Sequence, residues 1–383
     1  MSRVTHVPVT PSVLDWAIKE SGYEPDQLAS ASGVSTADIQ EWLSGKSLPN
    51  LTQARKLANK LHRSLAALLL PNPPQSQRLA VEFRHSLTDR QELNPNERRY
   101  LRRARRFQET LSWLSRELEL QRPTIPSASL ITAKPGSVAS SARSLLGIST
   151  KDQKTWTSPS SAFDQWRSAL ERMGIVVFLF PLGKSSCTGF SLWDDLAPIV
   201  AVNTAWNESA RIFTLFHEMA HLVTRTSSAC LGFRSSGRTD EVERWCESFS
   251  AQLLMPTAEV LATLREFGWH PGKQISDLAV ARRIAATYKV SLRAATIRLI
   301  DLEAANWSLY KQIPPISDDK PKGGGGSGRD RTQIREDQLG ERTTSVFIRA
   351  VQRDVLERFQ AVEMLDIPDS KFDQLAAAST RVQ

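Results

Sequence analysis

The chain has 383 residues, 40% hydrophobic and 23% charged, with a net charge of +8. That length suits two or three globular domains; no apolar run reaches the roughly 20 residues of a membrane span, and no signal-peptide core follows Met1. Three cysteines, Cys187, Cys230 and Cys246, form no disulfide framework and fit a reducing, cytoplasmic compartment, while the positive charge points weakly to nucleic acid.

Residues 1–75 read as a compact set of helices. Thr10-Pro11 opens the first, which runs to about Ser21. Small Ala29 lets two helices approach, Gly33 turns the chain, Val34 and Ile39 fill the space below, and a further helix is expected from Thr52 to Leu61. This is helix-turn-helix spacing, and the segment resembles the Xre/Cro class of DNA-binding domain down to the Gly-Lys-Ser-Leu-Pro after the recognition helix. The resemblance implies that Ser35, Thr36 and Gln40 face base edges and that Lys46 meets phosphate. Acids nearly balance bases here, and Asp38 and Glu41 lie on the recognition helix, so the module should bind DNA weakly, or as a homodimer. A protein-docking bundle is the alternative.

Residues 76–136 read as a helical, arginine-rich connector. Between about Pro95 and Leu120, Tyr100, Leu101, Ala104, Phe107, Leu111 and Leu114 make an apolar stripe at helical spacing. Arg98, Arg99, Arg102, Arg103, Arg105 and Arg106 occupy the remaining surface, either as a solvated face or as a strip that supplies phosphate contacts.

Residues 137–310 carry the chemistry. Helices are expected over Val138–Leu146 and Ser161–Met173, and strands near Ile175–Leu182, Thr188–Trp193 and Pro198–Asn203. Then comes Phe213-Thr-Leu-Phe-His217-Glu218-Met-Ala-His221-Leu-Val223, with Asn207 as its cap. Four helical residues turn through about 400°, so His217 and His221 share one face, a turn apart, and Glu218 lies about 100° round. Two imidazoles and a neighbouring carboxylate suit a zinc hydrolase, in which the carboxylate takes a proton from water on the metal. Thr224 and Ser227 exclude the metzincin extension, which needs glycine and histidine there. A second helix, from about Asp240 to Leu254 with Thr239 as cap, sets Glu243 and Glu247 on its polar side; either could be the third ligand, and the other could bond a ligand histidine. Cys246 points elsewhere as a core residue. Residues 257–306 read as three further helices.

Residues 311–383 begin with Pro314-Pro and the glycine run Gly323–Gly326, read as a flexible linker. Helices at about Ser345–Phe359 and Lys371–Ala378 follow, too few for a core of their own and expected to pack on the body or between copies. The whole is α+β and mostly α: a helix-turn-helix domain, a helical connector, a zincin-like domain with a small sheet, and a helical C-terminal region.

Arg211 to Val223 followed by Glu243 to Pro256 resembles the ImmA/IrrE family of gluzincin-type metallopeptidases. The resemblance implies Zn2+ as cofactor, Glu243 as the third ligand beside His217 and His221, Glu218 as the catalytic base, and Glu247, where Asn or Asp is usual, in the outer shell. It also implies an edge strand that binds substrate in extended form, with Gly189, Phe190 and Ser191 as the candidates. The expected substrate is a specific regulatory protein, a repressor or antitoxin of a mobile element, toxin–antitoxin or stress response. The alternative is a transcriptional regulator whose peptidase-like domain senses metal or docks a partner without cutting it.

Overall fold

The computed structural model describes residues 5–74, 93–127, 133–225, 228–230, 241–315 and 330–379. The glycine run and Thr239 fall outside them. Two compact units divide the chain, the boundary falling after Arg103.

The first unit contains α1 (Pro11–Ser21), α2 (Pro25–Ser32), α3 (Thr36–Leu43) and α4 (Leu51–Leu61), then a short 3-10 turn at Ala66–Leu69. Leu14, Ala17, Leu28, Ile39, Trp42, Leu57 and Leu61 form its core. Pro11 opens α1, but the Thr10 side chain makes no capping bond. Between α2 and α3 the chain reverses at Gly33, whose φ of +65° lies in the left-handed region that glycine enters freely.

The start of α5 (Pro95–Glu117) also belongs to this unit. There Arg98 donates to the Lys19 carbonyl at 3.2 Å and Arg102 to the Glu20 carbonyl at 2.6 Å. These carbonyls lie in the last turn of α1, where the Lys19 carbonyl also accepts from the Gly22 N–H at 3.3 Å, so the two guanidiniums add to the cap of the helix. The arginine strip expected as one uniform surface is therefore divided: Arg98 and Arg102 are half-buried and structural, while Arg99 and Arg106 are exposed.

The second unit starts at Ala104 and is built round one small sheet. Its elements run α6 (Pro135–Leu146), α7 (Thr150–Thr155), α8 (Pro159–Arg172), β1 (Val176–Phe180), β2 (Gly189–Leu192), β3 (Ile199–Asn203), α9 (Glu208–Val223), β4 (Ser228–Cys230) and α10 (Glu241–Leu254). Behind them come α11 (Thr257–Glu266), α12 (Leu278–Tyr288), α13 (Leu292–Asp301) and α14 (Trp307–Lys311). The chain closes with α15 (Arg331–Gln352), α16 (Arg358–Leu365) and α17 (Asp369–Ser379). Strand order is β1-β3-β2-β4, with β1 and β3 parallel and both β2 pairings antiparallel.

The sheet is covered on both faces, which is why β3 is buried throughout. Val177, Val200 and Val202 join the core shared with Trp166 of α8 and with Leu215 and Phe216 of α9. On the opposite pleat Phe178 meets Phe107 of α5, its ring centroid 5.3 Å away, and Phe107 in turn meets Phe347 of α15. The later part of α5 is therefore core of the second unit. Residues 76–136, set apart by sequence as a connector, are in their described part shared between the units.

The C-terminal region also departs from expectation. Its long helix starts at Arg331 rather than Ser345, stops at Gln352, and packs on β1 and α8. Phe359 belongs to α16. Inside α15, Gly340 leaves helical geometry at φ +81°, and the buried Glu171 carboxylate accepts from the Arg342 N–H at 3.1 Å, capping the second half of the helix.

Candidate functional site

Asn207 accepts from the Ala210 N–H and starts α9, and Glu208 places a negative charge in the first turn. Every residue from Thr214 to Val223 is buried. Such a helix can carry two imidazoles and a carboxylate inside the protein only if something answers them. The answer comes from α10, which packs along α9 and brings Glu243 between the histidines. Its carboxylate oxygens lie 2.9 Å from His217 Nε2 and 3.1 Å from His221 Nε2, and the two Nε2 atoms are 3.4 Å apart.

These donors suit a divalent cation. Tetrahedral zinc, with bonds of ~2.0–2.2 Å, spaces its ligand atoms ~3.3–3.6 Å apart, which the histidine pair already meets and the carboxylate contacts approach. Among the described residues this is the one grouping of three such side chains within reach of a single ion. Burial works against a charge on His217, but the hydrogen bond and charge of Glu243, with the charges of Glu218 and Glu247, outweigh it and raise the imidazole's pKa. The surroundings thus favour positive charge at the place where the donors meet.

Glu218 is fully buried beside these three side chains. Its Cγ lies against Gly189 of β2, where an added Cβ would stand 3.2 Å from it, 2.6 Å from Thr214 Cγ2 and 2.7 Å from the Ala201 carbonyl oxygen. The strand presses on the helix at the carboxylate, and only glycine leaves room. Thr214, four residues before Glu218 and on the same helical side, is a part of this packing that the histidine motif does not reveal. Glu247 is exposed one turn beyond Glu243; it contributes charge to His217 from the rim.

Phe190 and Ser191 are buried in the same strand. The expectation of an open edge at Gly189, Phe190 and Ser191 is corrected by the sheet: β2 pairs with β3 on one side and with β4 on the other, in register Gly189 to Cys230, Phe190 to Ala229 and Ser191 to Ser228. A strand that follows α9 closely in sequence has taken that edge, and β4 has no strong alternating pattern to announce it.

In the first unit Ser35 caps α3, accepting from the Asp38 N–H at 3.0 Å, and the Asp38 carboxylate accepts from the Ser35 N–H. Asp38 is thus one half of a capping box. Thr36 is half-buried, while Gln40 and Lys46 are exposed. Of the four residues expected at DNA, Gln40 and Lys46 are freely presented and Ser35 has its oxygen engaged by the helix.

Fold and site together define a helix-turn-helix protein that also carries a peptidase-like domain with a His-Glu-x-x-His helix and a carboxylate set against it from the next helix. Comparison with family models agrees: residues 170–299 match the peptidase family M78 model described as IrrE N-terminal-like domain, and residues 14–68 match the helix-turn-helix model. The chain is an N-terminal helix-turn-helix domain fused to an ImmA/IrrE-type peptidase domain. Comparisons with curated proteins and with solved structures gave no match. Among the described residues no helix is long and apolar enough to cross a membrane.

Proposed function

We propose that this protein is a zinc-dependent metalloendopeptidase coupled to a DNA-binding domain, acting in the cytoplasm on a specific regulatory protein, a repressor or an antitoxin. The observation that carries the reading is the convergence of His217, His221 and Glu243 beside a buried Glu218. His217, His221 and Glu243 would hold the ion. When bound, zinc supplies Lewis acidity, which polarises a carbonyl and lowers the pKa of water toward about 7. Glu218 takes the proton from the attacking water and returns it to the leaving amine. Its burial limits competition from bulk solvent, and Gly189 and Thr214 fix its position. The helix-turn-helix unit brings the peptidase to DNA where a DNA-bound substrate is found.

The pairing of β4 along β2 favours a second reading, in which the peptidase-like domain docks a partner or senses metal without cleavage. Glu218→Gln separates them. In the first reading the variant retains stoichiometric zinc and loses all cleavage of a repressor or antitoxin encoded next to this gene. Wild-type protein loaded with zinc that leaves such a partner intact, while binding it, supports the second.

A further inference from the structure

Away from the metal centre, the second unit contains a cleft of about 230 Å3 lined by Arg122, Arg172, Arg342 and Arg349 with the hydroxyls of Thr124 and Ser345. Arg342, Ser345 and Arg349 follow one another at helical spacing on the second half of α15, so one helix face supplies two of the guanidiniums. Arg172 ends α8, and Arg122 and Thr124 come from the segment after α5, tied down where the Thr124 N–H donates to the Met173 carbonyl at 2.8 Å.

No carboxylate lines the cleft, and among the described residues none of the four arginines forms an ion pair. Glu171, the carboxylate near Arg342, is held by Arg167 at 3.2 Å and by the Arg342 backbone. Interaction with the end of α8 accounts for Arg172. It does not account for three more cations around the same cavity, since like charges brought together repel and Arg342 is half-buried as well. A multiply charged anion would offset both costs. The planar guanidinium fork matches phosphate oxygens in pairs, and the hydroxyls supply further donors.

We propose that this cleft binds the polyphosphate group of a small phosphorylated molecule, a nucleoside diphosphate or triphosphate or inorganic pyrophosphate itself. Convergence on one concavity favours a compact ligand over a nucleic-acid backbone, which spaces its phosphates along a strip.

The test is calorimetric titration of the full chain with inorganic pyrophosphate and, separately, with ADP, at fixed ionic strength. Both zinc-loaded and chelator-treated protein are used, since pyrophosphate also binds metals. Binding is expected in both forms. Replacing exposed Arg349 or Arg122 with Gln, neither of which holds the fold, should weaken it about tenfold each. Tighter binding of ADP than of pyrophosphate identifies a nucleotide as the source; equal binding identifies the bare polyphosphate. No binding to wild type, or affinity unchanged in R349Q and R122Q, overturns the proposal. So does a result in which these variants lose affinity for a labelled duplex while pyrophosphate fails to bind.

Discussion

Gly189 shows how tightly the residues round Glu218 are fitted. Alanine there would bring a methyl carbon to 2.7 Å from the Ala201 carbonyl oxygen, a backbone atom that cannot swing aside. Gly189→Ala should cost about 1–3 kcal/mol in a urea titration. By displacing Glu218 it should also slow cleavage on the order of 100-fold while zinc content is unchanged. Shortening Thr214 to Ala should not rescue it, because the carbonyl remains. His62 offers a second test in the helix-turn-helix unit. Burial, then the charges of Arg99, Arg102 and Lys60, lower its pKa from 6.5 to about 4. Between those values the unfolded chain binds a proton that the folded unit does not, so stability is full above 6.5 and falls as pH drops toward 4. His62 sits in the left-handed region at φ +52°, which Asn tolerates. His62→Asn should therefore fold normally at neutral pH and show a flatter loss of stability at about pH 5, read from urea midpoints. The pairing of His217 with His221 was legible from their spacing because a helix fixes which side chains share a face. Spacing did not choose between Glu243 and Glu247, since both occupy one side of α10; the family resemblance named Glu243, and the packing of α10 on α9 sets it against the histidines.

At the scale of elements, α8 and α9 were readable in the sequence, and the structure places them within two residues of expectation, whereas α6 starts three residues before Val138. What periodicity could not supply were partners distant in the chain. The stripe on α5 was visible, but its destination, Phe178 and Phe347 on one face of the sheet, was not. Arg98 and Arg102 looked like solvent-facing charge until the carbonyls ending α1 were placed beside them. The start of α15 was missed for a similar reason. Gly340 breaks its helical geometry, and the break is stabilised by Glu171 from α8, whose carboxylate accepts from the Arg342 N–H while ion-pairing with Arg167. Removing that carboxylate leaves Arg167 and a helix N-terminus facing each other with nothing between. Glu171→Ala should destabilise the second unit by about 3 kcal/mol, measured by denaturant unfolding. Gly340→Ala should also destabilise it, because an added Cβ would fall 2.1 Å from Glu171 Oε1 at a backbone angle that alanine resists. If Glu171→Ala unfolds at the wild-type midpoint, the carboxylate is not what secures α15.

For the whole molecule, the division after Arg103 means that stability belongs to two units with different dependencies. Among the described residues the first contains His6 and His62 but no grouping able to hold a cation, whereas the second contains His217, His221 and Glu243. An ion bound only by the folded second unit stabilises that unit by mass action, about 4 kcal/mol when its free concentration is a thousandfold above Kd. For a unit of this size that corresponds to a rise in melting temperature on the order of 10 °C. Scanning calorimetry of the full chain should then resolve two transitions. Chelation should lower one and leave the other in place, and His217→Ala should show the lowered transition with or without chelator. The unresponsive transition should be the one whose midpoint shifts between neutral and mildly acidic pH through His62. A chelator that moves both transitions, or neither, would remove the cation from its place between α9 and α10, since the donors there belong wholly to the second unit.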